Sequence, residues 1–253
     1  MAPLCCLISS SPTLTLIISP DRPIRSLILT CSAGLRQERM ISLLHLFDIG
    51  PNDRCARELC KSDPQLDKLI NRVGPIRVPG GQDGFIYLTR SLVGQQLSGK
   101  AAETIFRRVE QVCGTITPET VLAAEEEQLR AAGLSRNKLG YIRNVAERVQ
   151  AGLLDFQSFG GLDDEEVVRL LTSVKGIGRW TAEMFLIFYL GREDVLSFGD
   201  RGLQRAAEWL YAAEENDGKS LLQRKHAEWK PYSTIVSLYL WEAVNTGLIQ
   251  TEL

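Results

Sequence analysis

From Met40 onward the chain reads as all-α, on three observations. Apolar residues recur at helical spacing in one segment after another. Asp, Ser or Thr residues, several followed by proline, stand where such segments begin. Glycines and polar loops, rather than alternating strands, divide them.

In chain order, Asp63 before Pro64 opens a short helix to about Val73, and Gly74-Pro75 ends it. Residues 75–83 read as a loop. Residues 84–94 and 98–113 read as two helices meeting at Gln95-Gln96. Thr117-Pro118-Glu119 starts the next, and a short helix over 125–132 is closed by Gly133. Ser135 caps a helix from Arg136 to Gly152, and Leu162-Asp163-Asp164-Glu165 starts another. An apolar helix runs from Trp180 through Leu190, one starting near Asp200 reaches about Ala213, and Pro231 precedes a last long helix to about Asn245. Residues 1–39 differ, with short β-prone runs, Leu14 to Ile18 and Leu27 to Thr30, broken by Pro20-Asp21-Arg22-Pro23. That break is unlike a secretory signal, and neither run can span a bilayer. A small strand pair and a disordered leader are the two readings.

A chain of 253 residues can bury one large core or two small ones. A formal net charge of −2 gives no global basic field, though a local basic face is compatible with it. Two histidines, His45 and His226, make a histidine-rich zinc site or a Ser-His-Asp triad a poor reading. The six cysteines are Cys5, Cys6, Cys31, Cys55, Cys60 and Cys113, with no C-x-x-C spacing. Free buried thiols in a reducing compartment are expected.

The stretch that organises the chain is residues 171–206, LTSVKGIGRWTAEMFLIFYLGREDVLSFGDRGLQRA. Val174-Lys175-Gly176-Ile177-Gly178 forms a glycine-bracketed turn before the apolar helix, where main-chain N–H groups and the helix dipole favour an anion such as phosphate. Asp200 then opens the next helix. Taken singly, the turn also suits a plain helix entry and Asp200 a plain N-cap. Their combination puts a candidate acid one helix away from a phosphate grip.

VKGIGRWTAEMF resembles the helix-hairpin-helix of the HhH-GPD DNA glycosylases, and within them the 3-methyladenine DNA glycosylase II branch. FIYLTRSLVGQQLSGKAA at 85–102, GLSRNKLGYIRNVA at 133–146 and WKPYSTIVSLYLW at 229–241 lie in that family's order, so the likeness spans roughly residues 60–245. It implies a two-lobed helical fold, with one lobe built from residues 40–80 and 195–253 and the other from 81–194. Residues 1–39 would then be an extension arising from an overlong start assignment.

The resemblance implies a role for each site residue. Asp200 matches the family's catalytic aspartate, which stabilises a cationic sugar or activates water; Glu193 and Asp194 read as a solvated turn. Trp180 stands where bifunctional relatives carry a nucleophilic lysine, so the expected enzyme is a glycosylase without lyase chemistry. Trp180, Trp241 and Met184 are expected in the base pocket, with neither Met184 nor Glu242 supplying the aromatic ring found in some relatives. Gln95, Gln96 and Ser98 lie where the family plugs the gap left by a flipped base, with Gln96 favoured. Val174, Lys175, Gly176, Ile177, Gly178 and Thr181 are expected at the DNA. The carbonyls of Thr172, Val174 and Ile177 match those that hold a bridging monovalent cation. Lys138, Arg136 and Arg143 can approach phosphate or remain solvated.

Two positions depart from the family pattern. The loop before the aspartate has Ser197-Phe198-Gly199 in place of its proline, which would loosen the support of Asp200. Ser233 replaces an arginine. No cysteine follows Cys113, so an iron–sulfur cluster of the endonuclease III type is not expected. The expectation is a monomeric, membrane-free enzyme acting on damaged double-stranded DNA, in the cytoplasm or nucleus according to the source. Its substrates would be alkylated purines such as 3-methyladenine and 7-methylguanine. The alternatives are a glycosylase for deaminated, oxidised or mismatched bases, and a non-catalytic DNA-binding module.

Overall fold

The structure, a computed structural model, describes residues 45–213 and 217–251. The extension over residues 1–39 and the Met40 boundary lie outside them. Within the described residues the fold is helical, with β1 (His45–Ile49), α1 (Arg54–Ser62), α2 (Pro64–Val73), β2 (Ile76–Pro79), α3 (Gly84–Gly94), α4 (Gly99–Cys113), α5 (Pro118–Ala123), α6 (Glu126–Ala131), α7 (Arg136–Gln150), α8 (Asp164–Thr172), α9 (Arg179–Phe188), α10 (Arg201–Leu210), α11 (Gly218–Trp229) and α12 (Ser233–Asn245).

Helix starts follow from capping chemistry. Asp63 accepts the N–H groups of Gln65 and Leu66, and Asp83 accepts that of Phe85 at 2.8 Å. Ser135 accepts the Lys138 N–H, while Asp163 and Glu166 form a reciprocal capping box at the start of α8. Each such bond satisfies an N–H that the first helical turn leaves without a partner.

Two expectations need correction. The segment 75–83 is not wholly loop: β2 pairs antiparallel with β1, with Asp48 opposite Arg77 and Ile49 opposite Ile76. The all-α architecture therefore carries one small two-stranded sheet. Helix α11, to which the sequence reading assigned no element, packs on α10 and α12.

Packing sorts the helices into two groups. Helices α1 and α2 meet, and α2 packs on α10 and α12; α3, α4, α5, α6 and α7 pack among themselves, and α8 packs on α9. Helix α3 also reaches α9, so the hairpin is braced by the second group. The apolar face of α9 explains its central place: Ala182, Phe185 and Ile187 are fully buried. Phe185 sits in an aromatic cluster with Tyr87, Phe156, Phe159 and Tyr189. Burying one such side chain contributes roughly 1.5–3 kcal/mol, which fixes α9 as the axis of the site.

Candidate active site

Helices α8 and α9 are joined by residues 173–178, a tight corner whose geometry is set by three neighbours. Gly176 has φ +93°, and a Cβ there would lie 2.3 Å from the Tyr141 ring of α7, so only glycine fits. The Arg148 guanidinium, also from α7, donates to the Ser173 hydroxyl and carbonyl. The Gln95 amide donates to the Gly176 carbonyl at 2.9 Å. Val174 and Ile177 point inward and are almost fully buried, so they anchor the corner and only their main chain can serve a ligand. Lys175 and Gly178 are exposed. Gly178 caps α9 without a side-chain acceptor, which leaves the first-turn N–H groups without a capping partner, an arrangement that suits an anion.

After α9 ends, Gly191 adopts φ +67° and the chain turns back through residues 192–199 to Asp200. This return is pinned to the start of α12. Thr234 donates its hydroxyl to the Arg192 carbonyl and accepts the Val195 N–H. The Ser233 hydroxyl donates to Asp194 at 2.5 Å. Asp194 is thus a structural acceptor rather than part of a merely solvated turn, and Ser233, which departs from the arginine of the family pattern, holds the turn.

Asp200 is half-buried at the N-terminus of α10 and collects three donors. The Leu203 N–H reaches Oδ1 at 2.8 Å, the N-cap bond expected of this position. The Trp241 indole N–H reaches the same oxygen at 3.1 Å, and the Trp180 indole N–H reaches Oδ2 at 2.7 Å. Three elements, α9, α10 and α12, therefore converge on one carboxylate. The two tryptophans expected at the base are joined to the acid by their N–H groups while their rings extend away from it.

Beside this group lies a cleft of about 570 Å³ lined by Trp180, Thr181, Met184 and Phe188 of α9, Tyr87, Ser91 and Gly94 of α3, and the turn Gln95-Gln96-Leu97. Trp180 is 50% exposed and presents ring surface to this space. Trp241 stands behind it, its ring against Phe188 with centroids 5.7 Å apart. The Tyr87 hydroxyl donates to the Met184 carbonyl at 3.0 Å. Burial pushes this hydroxyl up to about 12, so it remains a donor at neutral pH.

Several side chains expected at the DNA have partners or burial within the protein. Thr181 is buried and lines the cleft, next to Trp180 on α9. Ser98 uses its hydroxyl as the N-cap of α4. Lys138 donates to the Val93 and Gln95 carbonyls at 2.8 and 2.7 Å, sealing the C-terminus of α3, and burial lowers its pKa. Arg143 donates to the Ala124 carbonyl and pairs with Glu126. Gln96, by contrast, is exposed, lines the cleft and has φ +58°, a left-handed conformation uncommon for a residue other than glycine. Tyr87, Ser91, Leu97 and Phe188 were not singled out from sequence. Phe188 carried a signal, standing one helical turn after Met184 on the same face.

A glycine corner at a helix N-terminus, beside a cleft whose Trp180 holds the Asp200 carboxylate, is an arrangement suited to a protein that grips a strand and acts on one extruded base. The chain belongs to the HhH-GPD superfamily of base excision DNA repair proteins, whose family pattern it matches over residues 89–231. It is 32% identical over 182 residues to DNA-3-methyladenine glycosylase 1 of Schizosaccharomyces pombe, covering 70% of this chain and 80% of that protein. Its structure superposes on a DNA-3-methyladenine glycosidase of Bacillus halodurans with a TM-score of 0.74 and 44% identity, covering 80% of this chain and 94% of the other. The S. pombe 3-methyladenine DNA glycosylase in complex with abasic DNA gives a TM-score of 0.69 at 30% identity, covering 76% of this chain and 97% of that one.

Proposed function

We propose that this protein is a monofunctional DNA glycosylase that excises alkylated purines, 3-methyladenine and 7-methylguanine, from double-stranded DNA. The observation that carries the reading is the Asp200 carboxylate, oriented by two indole N–H groups, one of them from Trp180 of the aromatic-lined cleft. The names of the relatives at 30% identity or more point to the same lesion class.

The chemistry follows in steps. Phosphates flanking the lesion seat on the corner 174–178 and the N-terminus of α9. The damaged nucleotide leaves the stack, and Gln96 fills the gap. The extruded base enters the cleft beside Trp180 and Phe188. An alkylated purine carries positive charge, so it is attracted to the face of an indole by roughly 0.5–2 kcal/mol and is already a good leaving group. Glycosidic bond cleavage leaves cationic character on the sugar, which the Asp200 carboxylate stabilises while orienting water. Trp180 supplies no amine, so no Schiff base forms and the product is an abasic site.

Asp200→Asn tests this directly. Excision should fall about a hundredfold or more, while binding to duplex containing an abasic site persists. Full excision by that variant, or a borohydride-trapped covalent adduct with the unaltered protein, would refute the reading. Release from duplexes carrying alkylated, deaminated and oxidised purines and mismatched pyrimidines measures lesion preference. Alkylated purines should be released fastest, and equal release of a neutral lesion would contradict the role given to Trp180.

The same reading covers the partner and the cation. The protein would act as a monomer on DNA, in the nucleus or nucleoid; among the described residues no helix is long and apolar enough to cross a membrane. The Thr172 and Ile177 carbonyls accept no hydrogen bond within the described residues, whereas that of Val174 accepts the Ile177 N–H. Neutral carbonyl oxygens suit a monovalent cation, which would screen a phosphate at the corner. Cys55, Cys60 and Cys113 are free thiols, half-buried rather than buried as expected because each packs only at the edge of the core, and no cluster bound by them enters the proposal.

A further inference from the structure

Glu183 is a buried carboxylate that the chemistry above does not use. It lies on α9, one turn after Arg179 and three residues after Trp180, and is only 8% exposed. Burying a carboxylate is unfavourable unless its oxygens are matched, and here both are. Oε1 accepts the Arg179 Nε–H at 2.9 Å, and Arg179 in turn grips Glu165 of α8 through both terminal nitrogens. Oε2 accepts the Ser197 hydroxyl at 2.5 Å. Ser197 is fully buried, and its carbonyl accepts the Asp200 N–H at 3.1 Å. The other side of that short turn is closed by Gln204, whose amide donates to the Phe198 carbonyl at 2.7 Å.

We propose that Glu183 is a positioning residue for Asp200, acting through Ser197. The proposal rests on Asp200 being the catalytic acid. Helix α9 then holds the acid by two routes: Trp180 grips the carboxylate itself, and Glu183 fixes the main chain three residues before it. In this chain the loop ahead of the acid is held by a hydrogen bond, where the family resemblance led to the expectation of a proline. Ser197 therefore tightens the support of Asp200, contrary to the looser loop expected from sequence. The rest of the Glu183 contacts bind the hairpin together, so the charge also couples α8 to the acid-bearing turn.

The test compares Ser197→Ala, Glu183→Gln and Asp200→Asn in the full chain, singly and as the doubles with Asp200→Asn. Three quantities are read: the single-turnover excision rate of 7-methylguanine at saturating enzyme, the Kd for abasic duplex, and Tm. Displacing a catalytic group by about 1 Å costs on the order of a hundredfold. Ser197→Ala and Glu183→Gln should each slow excision about tenfold to a hundredfold with Kd little changed, and should cause no further loss in the Asp200→Asn background. Ser197→Ala removes a single oxygen, so it carries the comparison if Glu183→Gln does not fold. Unchanged rates in the single variants, a weaker Kd with an unchanged rate, or a full further loss in the doubles would overturn the proposal. If Asp200→Asn itself excises normally, the assignment of the acid fails, and that outcome is distinct from all of these.

Discussion

The Gln95 side-chain amide donates to the Gly176 carbonyl at 2.9 Å, so the turn between α3 and α4 is tied to the corner of the hairpin. The element proposed to fill the DNA gap and the element proposed to hold the strand therefore move together. Lys138 reinforces the link by holding the Val93 and Gln95 carbonyls from α7.

Lys138→Met should uncouple them. Hydrogen bonds to a charged group contribute about 1.5–3 kcal/mol each, and partial exposure of Lys138 reduces that. The expected loss is about 1–3 kcal/mol in a denaturant titration. Excision from duplex should suffer more than excision from single strands, where no gap is opened. Equal losses on the two substrates would show that the turn plays no part in base extrusion.

Gly176→Ala should damage the corner for two separable reasons. The new methyl would overlap the Tyr141 ring, and alanine at φ +93° costs about 1–3 kcal/mol on its own. DNA binding should weaken in a fluorescence anisotropy titration. Adding Tyr141→Ala should restore only part of it, because the overlap goes and the backbone conformation stays.

Trp241→Phe keeps a ring against Phe188 and removes one N–H from Asp200. A bond to a charged acceptor contributes about 1.5–3 kcal/mol, and 1.36 kcal/mol is tenfold in rate. Excision should slow about tenfold or more with a nearly unchanged Kd. A change confined to Kd would place Trp241 in binding instead.

Asp63 predicts an acid limb in stability. Burial alone disfavours its charge, but the Tyr211 hydroxyl, the Leu66 and Gln65 N–H groups and Lys225 together hold the carboxyl below its ordinary range. A depressed folded value means the stabilisation is complete above the unfolded carboxylate range, near pH 4, and is lost as pH falls through the folded value. Tm should fall steeply on acidification below about pH 4. Asp63→Asn should lower Tm at neutral pH and flatten that limb.

How far the chain could be read follows from the range of each interaction. Asp63, Ser135, Asp163 and Asp200 announce helices because a cap and its N–H partner lie two or three residues apart. The glycine corner and Asp200 were legible for the same reason. The sheet was not: β1 and β2 are five and four residues long, interrupted by a register shift, and meet only across the intervening α1 and α2. Helix α11 has no side-chain cap, and its charged residues dilute the apolar pattern. Lys138 and Arg143 looked available for phosphate because sequence does not reveal which carbonyls fold back to meet them. The Ser197–Glu183 bond joins residues 14 apart across a turn, so the serine could be seen only as a missing proline.

Helix α9 begins at the corner and carries Trp180, Glu183 and Met184 within its first two turns. An α-helix is a stiff rod that rises about 1.5 Å per residue, so these side chains cannot be adjusted one at a time. Whatever tilts the corner re-aims the stacking surface, the clasp on the acid's turn and the back wall in the same stroke. Where a strand docks and where its sugar is attacked are calibrated by a single part, and a misdocked strand would also be a misaligned one.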